Sequence, residues 1–282
     1  MMEVVSPGAY ATIQDLGRPG YAHLGVPRSG AADSRSAALA NRLVGNPESA
    51  ATVELTFGGA VFRFAAGAWV ALTGAPCPAR IRGRFIGMYA PQWIPEGGEL
   101  QIGLPSSGLR TYLAVRGGID VPPVLGSRST DTLSGLGPPP LTPGTILPLG
   151  ITNDPITTDY APTHPIPQEP RIGVIRGPRD DWFTPQALID LCAAPYEVTQ
   201  DTNRVGARLS GHPLTRRHPG ELPSEGMATG SIQVPPSGQP IIFLADHPPT
   251  GGYPVIGVIR SPDLPTVAQS RPGTHLHFHL LP

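Results

Sequence analysis

Residues 51–64 read ATVELTFGGAVFRF. Apolar and polar residues alternate on either side of Gly58-Gly59, the period of a half-buried strand, and paired glycines supply a tight turn. The stretch predicts two short strands joined as a hairpin. Outward from it, residues 69–72, 100–104 and 111–115 are further short apolar runs with Gly and Pro between them. Short strands at this spacing are the signature of a barrel or sandwich, so a mainly β chain with few, short helices is expected. The 35 glycines and 37 prolines among 282 residues punctuate these runs instead of forming a low-complexity repeat.

Two helices can be placed by their ends. Asp33 or Ser34 caps a helix running through Ala37, Leu39, Leu43 and Val44, stopped by Gly45 and Asn46-Pro47. Thr184-Pro185 opens another over residues 187–192. Between residues 137 and 170 the runs GPPPLTPG and TTDYAPTHPIPQEP exclude regular structure. The expected organisation is therefore a domain over residues 1–150, a Pro-rich linker over 151–170 and a second domain over 171–282. That second domain restarts with a strand at residues 171–176, and further strands are expected at 230–234 and 241–244.

Composition narrows the chemistry. The net charge is −1 and no basic stripe is present, so a nucleic-acid partner is not expected. No apolar run reaches membrane-spanning length and the first residues lack a cationic-then-apolar leader, so a cytoplasmic protein that does not enter a membrane is expected. All 20 basic residues are Arg. Without Lys the chain can form no Schiff base, carry no covalent biotin and build no Lys-containing phosphate loop. Cys77 and Cys192 stand alone, outside any paired-ligand spacing, and read as small buried hydrophobes.

Three loops concentrate polar residues. Residues 12–33, TIQDLGRPGYAHLGVPRSGAAD, carry Gln14, Asp15, Arg18 and His23 among four glycines and two prolines. Either Asp15 and Arg18 hold a tight loop, or they meet a ligand. In residues 221–234, ELPSEGMATGSIQV, Glu225 and Gln233 flank small residues that let a ligand approach the backbone. In residues 245–254, ADHPPTGGYP, Asp246 and His247 can form an acid/base pair, and Thr250-Gly251-Gly252 can offer backbone N–H groups to an oxyanion. A plain turn after a buried strand accounts for that last loop equally well. Asp180-Asp181 reads as a carboxylate pair or as helix-cap residues. His275, His277 and His279 alternate with Leu276, Phe278 and Leu280 on one strand. Metal sites ordinarily draw a ligand from a second element, so this row reads as structural and no metal is expected.

At these loops the sequence resembles a known family. The runs TIQDLGRPGYAHLGVPRSGAAD, LANRLVGNPESAATVELTFGG, RTYLAVRGGIDVPPVLGSRSTD, GPRDDWF, ELPSEGM, SIQVPPSGQP and TGGYPVI are similar to the biotin-dependent carboxyltransferase-type family. That family includes the C component of bacterial 5-oxoprolinase and half of the carboxyltransferase domain of urea carboxylase. The resemblance implies two cyclophilin-like β-barrel domains. It implies B-like and A-like oxoprolinase components as partners, ATP as co-substrate bound with a partner, and hydrolysis of 5-oxoproline to glutamate. A small cyclic amide is then the substrate. The alternatives are the carboxyltransferase half of a biotin-dependent system, with biotin carried on another chain, and a regulatory protein that antagonises a B-like partner. On this resemblance Gln14, Asp15, Arg18 and Asp246 are the catalytic candidates. His23, Glu225, Gln233, Thr250, Gly251, Gly252 and Tyr253 are the substrate-binding candidates. Family members often read ADRQTTGGYPK where this chain has ADHPPTGGYPV, which bears on substrate identity.

Overall fold

The computed structural model describes residues 1–163 and 165–281. The chain divides into two compact units. Met1–Arg18, Ser29–Asp131 and Gly135–Ile166 form the first, and Pro19–Arg28, Thr132–Ser134 and Pro167–Pro282 form the second. The mainly β expectation holds in both.

The first unit contains β1 (Met2–Ser6), β2 (Tyr10–Gln14), helix α1 (Ser34–Leu43), β3 (Thr52–Thr56), β4 (Val61–Phe64), β5 (Ala68–Gly74) and β6 (Ala79–Ile81). Beyond these come β7 (Arg84–Ile86), β8 (Gln92–Ile94), β9 (Glu99–Ile102), β10 (Arg110–Val115) and β11 (Ile146–Leu147). They build a six-stranded sheet in the order β11-β1-β4-β9-β6-β7 and a five-stranded sheet in the order β2-β3-β10-β5-β8. Both sheets contribute to one apolar core: Val4, Phe62, Phe64 and Leu100 from the first, Ile13, Val53, Leu55, Leu72 and Leu113 from the second.

The two strands beside Gly58-Gly59 are not a hairpin. β3 pairs with β2 and β10, whereas β4 pairs with β1 and β9. The alternation that suggested a half-buried pair hides a second buried face. Ala71, Tyr112 and Ala114, on the side of the five-stranded sheet away from the main core, pack against Ala37, Ala40 and Leu43 of α1. Glu54 lies on that face, where its Oε2 accepts from the Ala32 N–H at 2.9 Å and the Tyr112 hydroxyl at 2.7 Å, and Arg110 stands beside it. Gly58-Gly59 is the point where the chain leaves one sheet for the other. Both have positive φ, and a Cβ on Gly58 would lie 2.3 Å from the Gly103 carbonyl oxygen. Asp33 caps α1, accepting from Ser36 N–H.

The second unit contains β12 (Arg171–Arg176), helix α2 (Pro185–Ala193), β13 (Tyr196–Val198), β14 (Gly206–Ser210), β15 (Glu225–Gly226), β16 (Ser231–Gln233), β17 (Ile241–Phe243), β18 (Thr250–Gly251), β19 (Val255–Ile259), helix α3 (Leu264–Gln269) and β20 (His275–Leu280). Seven strands close a barrel in the order β12-β19-β16-β17-β14-β13-β20. Its one parallel seam joins β12 to β20. Closure leaves no open edge and encloses Ile172, Val174, Val198, Leu209, Ile232, Ile242, Ile256 and Phe278. On β20, Leu276 and Phe278 are buried while His275 and His279 are exposed. Thr184 caps α2 by accepting from Ala187 N–H, with Pro185 at its first position. The short helix α3 carries no apolar period long enough to read in advance.

Gly58→Ala is expected to lower stability by at least about 1 kcal/mol, or roughly 2–4 °C in melting temperature, because it adds both strain and a clash with backbone. Gly87, which has open space around it and no positive φ, is the control. Equal melting temperatures for Gly58→Ala and Gly87→Ala would contradict the crossover.

Candidate functional site

The candidates fall into two groups, one in each unit. In the first unit, β2 ends at Gln14 and the chain turns through Asp15 and Arg18. Gln14 is fully buried, and its Nε2 donates to Thr12 Oγ1 at 3.1 Å and to Thr130 O at 3.0 Å. Asp15 is 8 % exposed. Its Oδ1 accepts from Gly17 N–H and from the Ser127 and Ser129 hydroxyls, and its Oδ2 accepts from Arg128 N–H at 2.6 Å. Arg18 is 1 % exposed, donates to Ser129 O and Val124 O, and stands 3.8 Å from Asp131. These side chains bind the turn after β2 to residues 124–131. The loop does use its charged residues as a framework, since backbone groups this deep in a Gly/Pro-rich segment have no ladder to join.

The second group is assembled on the barrel. β15 and β18 form a two-stranded ribbon in which Glu225 faces Gly251 and Gly226 faces Thr250. Met227 N–H continues it by donating to Pro249 O, and Leu222 N–H donates to Gly252 O. Gln233, on β16 beneath, donates from Nε2 to Tyr253 O at 3.1 Å. A Cβ at residue 251 would lie 2.7 Å from that Nε2, so Gly251 makes room for the carboxamide. Glu225, Gln233, Thr250, Gly251, Gly252 and Tyr253, which the sequence placed in two separate loops, are thus brought together. His23 is exposed on the single turn Ala22–Leu24. Among the described residues it makes no hydrogen bond to the other candidates.

Two arginines that the sequence did not single out complete this arrangement. Arg179 forks onto Glu225, with Nε 2.9 Å from Oε1 and 3.0 Å from Oε2. The hydrogen bond from Arg179 holds the Glu225 carboxyl below its ordinary range. Within GPRDDWF the contributing residue is therefore Arg179. Asp180 and Asp181 lie on a short turn ahead of Thr184, and Asp180 stands 3.8 Å from Arg176. Arg204 donates from Nε and Nη2 to the two oxygens of Asp246, each at 2.9 Å, with both side chains buried. Thr132 adds its N–H and its hydroxyl at 3.0 and 2.7 Å. Burial pushes the Asp246 carboxyl up, but the Arg204 charge and the hydrogen bonds from Arg204 and Thr132 outweigh it and hold the group below 3.8. Arg204 escaped notice because its partner lies 42 residues along the chain.

The ribbon offers a carboxamide, an Arg-fixed carboxylate and close backbone around glycine. Another groove of the second unit, ≈ 820 Å³, lies beside α2 and is lined by Phe183, Leu188, Ile189, Phe278, Arg176 and Arg217 among others. Its lining also includes Asp180, Asp181 and His279, and none of the ribbon residues. Among the described residues no group of three or more His, Cys, Asp or Glu is placed to hold a metal ion, and no helix is long and apolar enough to cross a membrane.

The chain belongs to the family described as carboxyltransferase domain, subdomain A and B, which it matches over residues 24–280. It is 37% identical over 286 residues to the C component of 5-oxoprolinase from Escherichia coli K12, covering 99% of this chain and 90% of that protein. It is 35% identical over 307 residues to urea amidolyase of Lachancea kluyveri, covering 98% of this chain but 17% of that protein. The solved structure of TTHA0988 superposes with a TM-score of 0.91 at 36% identity, over 99% of this chain and 55% of that one.

Asp15→Asn is expected to cost about 1–3 kcal/mol, since the new amide would meet the Arg128 N–H donor to donor. A wild-type melting temperature would show that the network does not hold the loop. For Asp246 the folded pKa lies below the unfolded value, so the stability it contributes is complete above that value and is lost as pH falls through the folded pKa, below 3.8. Asp246→Asn leaves Arg204 buried without its counter-charge and is expected to cost about 3–5 kcal/mol at neutral pH, with a shallower loss of stability in acid. Unchanged melting at pH 7 would refute the assignment.

Proposed function

We propose that this chain is the C component of an ATP-dependent 5-oxoprolinase, acting with A-like and B-like partners to open 5-oxo-L-proline to L-glutamate. The observation that carries this reading is the near end-to-end match to the C component of the Escherichia coli 5-oxoprolinase, which covers 90% of that relative, against a 17% region of the urea amidolyase. In this reading the ribbon holds the lactam. Gln233 and the backbone around Gly251-Gly252 take its N–H and C=O edge, Thr250 and Tyr253 border it, and Arg179 with Glu225 fixes the ribbon's outer strand. Asp246 stays ionised below the ribbon and holds its root, while Gln14, Asp15 and Arg18 position the loop in their own unit.

ATP supplies the driving force and is assigned to a partner. This chain has no Lys to neutralise phosphates. The urea amidolyase match over 98% of this chain supports a second reading, a carboxyltransferase half. A lactam and the ureido ring of biotin both present adjacent N–H and C=O groups in a five-membered ring, and both gain reactivity when charge on that oxygen is stabilised. Biotinyl-lysine would then arrive on another chain, because this one has no lysine.

The reading is tested by reconstituting the purified chain with its A-like and B-like partners and following glutamate release from 5-oxoproline with ATP. Turnover is expected only when all three are present, and Gln233→Ala should lower kcat/KM about tenfold or more. Carboxylation of urea by the assembly, or full oxoprolinase turnover without this chain, would overturn it.

A further inference from the structure

A cavity of ≈ 490 Å³ lies along residues 213–220 of the second unit, and none of the ribbon residues lines it. Backbone holds its walls. On one side Leu214 N–H donates to Gly238 O at 2.9 Å. On the other, Thr184 N–H donates to Thr215 O, Arg217 N–H donates to Trp182 O, and Phe183 faces Arg216 as an antiparallel bridge. Gly238, at φ +75°, permits the close approach, since a Cβ there would lie 2.9 Å from Pro213 Cβ. Pro213, Pro219 and Pro236 stiffen the rim. The cavity is shaped before any ligand arrives, which lowers the cost of binding one.

The charges on its lining have one sign. Arg216, Arg217 and His218 follow one another, Thr215 and Ser237 add hydroxyls, and no Asp or Glu is present. Arg216 lies over the Trp182 ring, 5.9 Å from its centroid, and donates from Nη2 to Gly220 O. Its Nε is closed off from solvent without a partner among the described residues. His218 meets the same indole edge-on at 5.2 Å, so Trp182 orients both side chains. Arg217 also borders the groove beside α2, where Asp180 and Asp181 stand, yet among the described residues its guanidinium has no hydrogen bond or ion pair. Glu221, the next acid along the chain, is turned to Gly252 of the ribbon. Two permanent positive charges therefore share a preformed cavity whose lining holds no counter-charge.

We propose that this cavity binds a phosphate dianion, either free or carried on a small organic body. Two guanidinium groups match its charge. Its several oxygens can use the arginine donors and the Thr215 and Ser237 hydroxyls together, whereas a carboxylate offers two oxygens only. The volume falls within the roughly 300–1,000 Å³ of small-molecule sites, which leaves room for a body against Pro213, Leu214, Pro219 and Pro236. A nucleoside triphosphate is a poorer match, because its Mg²⁺ takes carboxylate ligands and this lining has none. In a chain whose basic residues are all Arg, guanidinium groups are the donors that meet an anion. The site stands independently of the amide reading of the ribbon.

The test is calorimetric titration of the whole chain, in phosphate-free buffer at fixed ionic strength, with inorganic phosphate, glycerol 3-phosphate and succinate. Both phosphates are expected to bind one per chain, succinate at least about tenfold more weakly, and added salt should weaken binding. Tighter binding of glycerol 3-phosphate than of inorganic phosphate identifies an ester as the ligand, and the reverse order identifies the free ion. Arg217→Gln has no partner to lose, so it should keep the wild-type Tm and bind both phosphates about tenfold or more weakly. Ser237→Asp, which places an acid in the lining, should weaken them likewise, whereas Arg171→Gln, exposed on β12, should bind as wild type does. In wild type, phosphate should shift the backbone amide resonances of Thr215, His218 and Gly238, a readout that needs no variant. No binding of either phosphate, succinate bound as tightly as phosphate, shifts confined to other residues, or wild-type affinity in Arg217→Gln overturns the proposal.

Discussion

Asp246 is an anion shut away from solvent, and the arrangement of the second unit around the ribbon depends on how that charge is met. Arg204 takes both of its oxygens and Thr132 adds two more donors. The backbone repeats the tie, since Asp246 N–H donates to Arg204 O and Leu244 N–H donates to Val205 O. A buried ion pair of this kind brings little net stability over an apolar pair of the same shape. What it fixes is position. Asp246 ends the segment after β17 and begins the return toward β18, so the carboxylate sets where His247 stacks and where residues 248–253 start. Gly230 N–H donating to Phe243 O fixes the opposite strand at the same level.

The first unit solves a similar problem in the same way. A turn rich in Gly and Pro leaves backbone groups that no ladder satisfies, and a buried carboxylate with two oxygens can answer several donors at once. Asp15 does this for Gly17, Ser127, Arg128 and Ser129. Glu54 does it for Ala32 and Tyr112 under α1. In a chain without lysine the counter-charges are guanidinium groups, whose several fixed donors can reach carbonyl and carboxylate oxygens together. The irregular segments are therefore held by acids and arginines in the interior more than by regular structure of their own.

This explains which features were legible in the sequence. Helix caps act within three residues, so Asp33 and Thr184 could be read directly. Strand existence followed from apolar runs and turns. Strand pairing did not, because the alternation of residues 52–56 is produced by a face covered by α1 with a buried, neutralised Glu54, and local pattern cannot tell a buried acid from an exposed one. The ribbon residues Glu225, Gln233 and Thr250–Tyr253 stood out as polar and small positions in loops. Arg179 and Arg204 did not, since each gains its meaning from a partner 42 or 46 residues distant. The buried state of Asp15 and Arg18 was equally invisible, as a polar loop in sequence gives no measure of depth.

The ribbon, with its carboxamide and glycines, is the proposed amide site, whereas the cavities of the second unit lie beside α2 and along residues 213–220. Their chemistries differ, and a crystal structure of the chain soaked with 2-imidazolidinone separates them. The ligand is predicted at the ribbon, with its N–H and C=O edge against Gln233 and the backbone at Gly251. Density for the ligand in the groove beside α2, with the ribbon empty, would contradict the account.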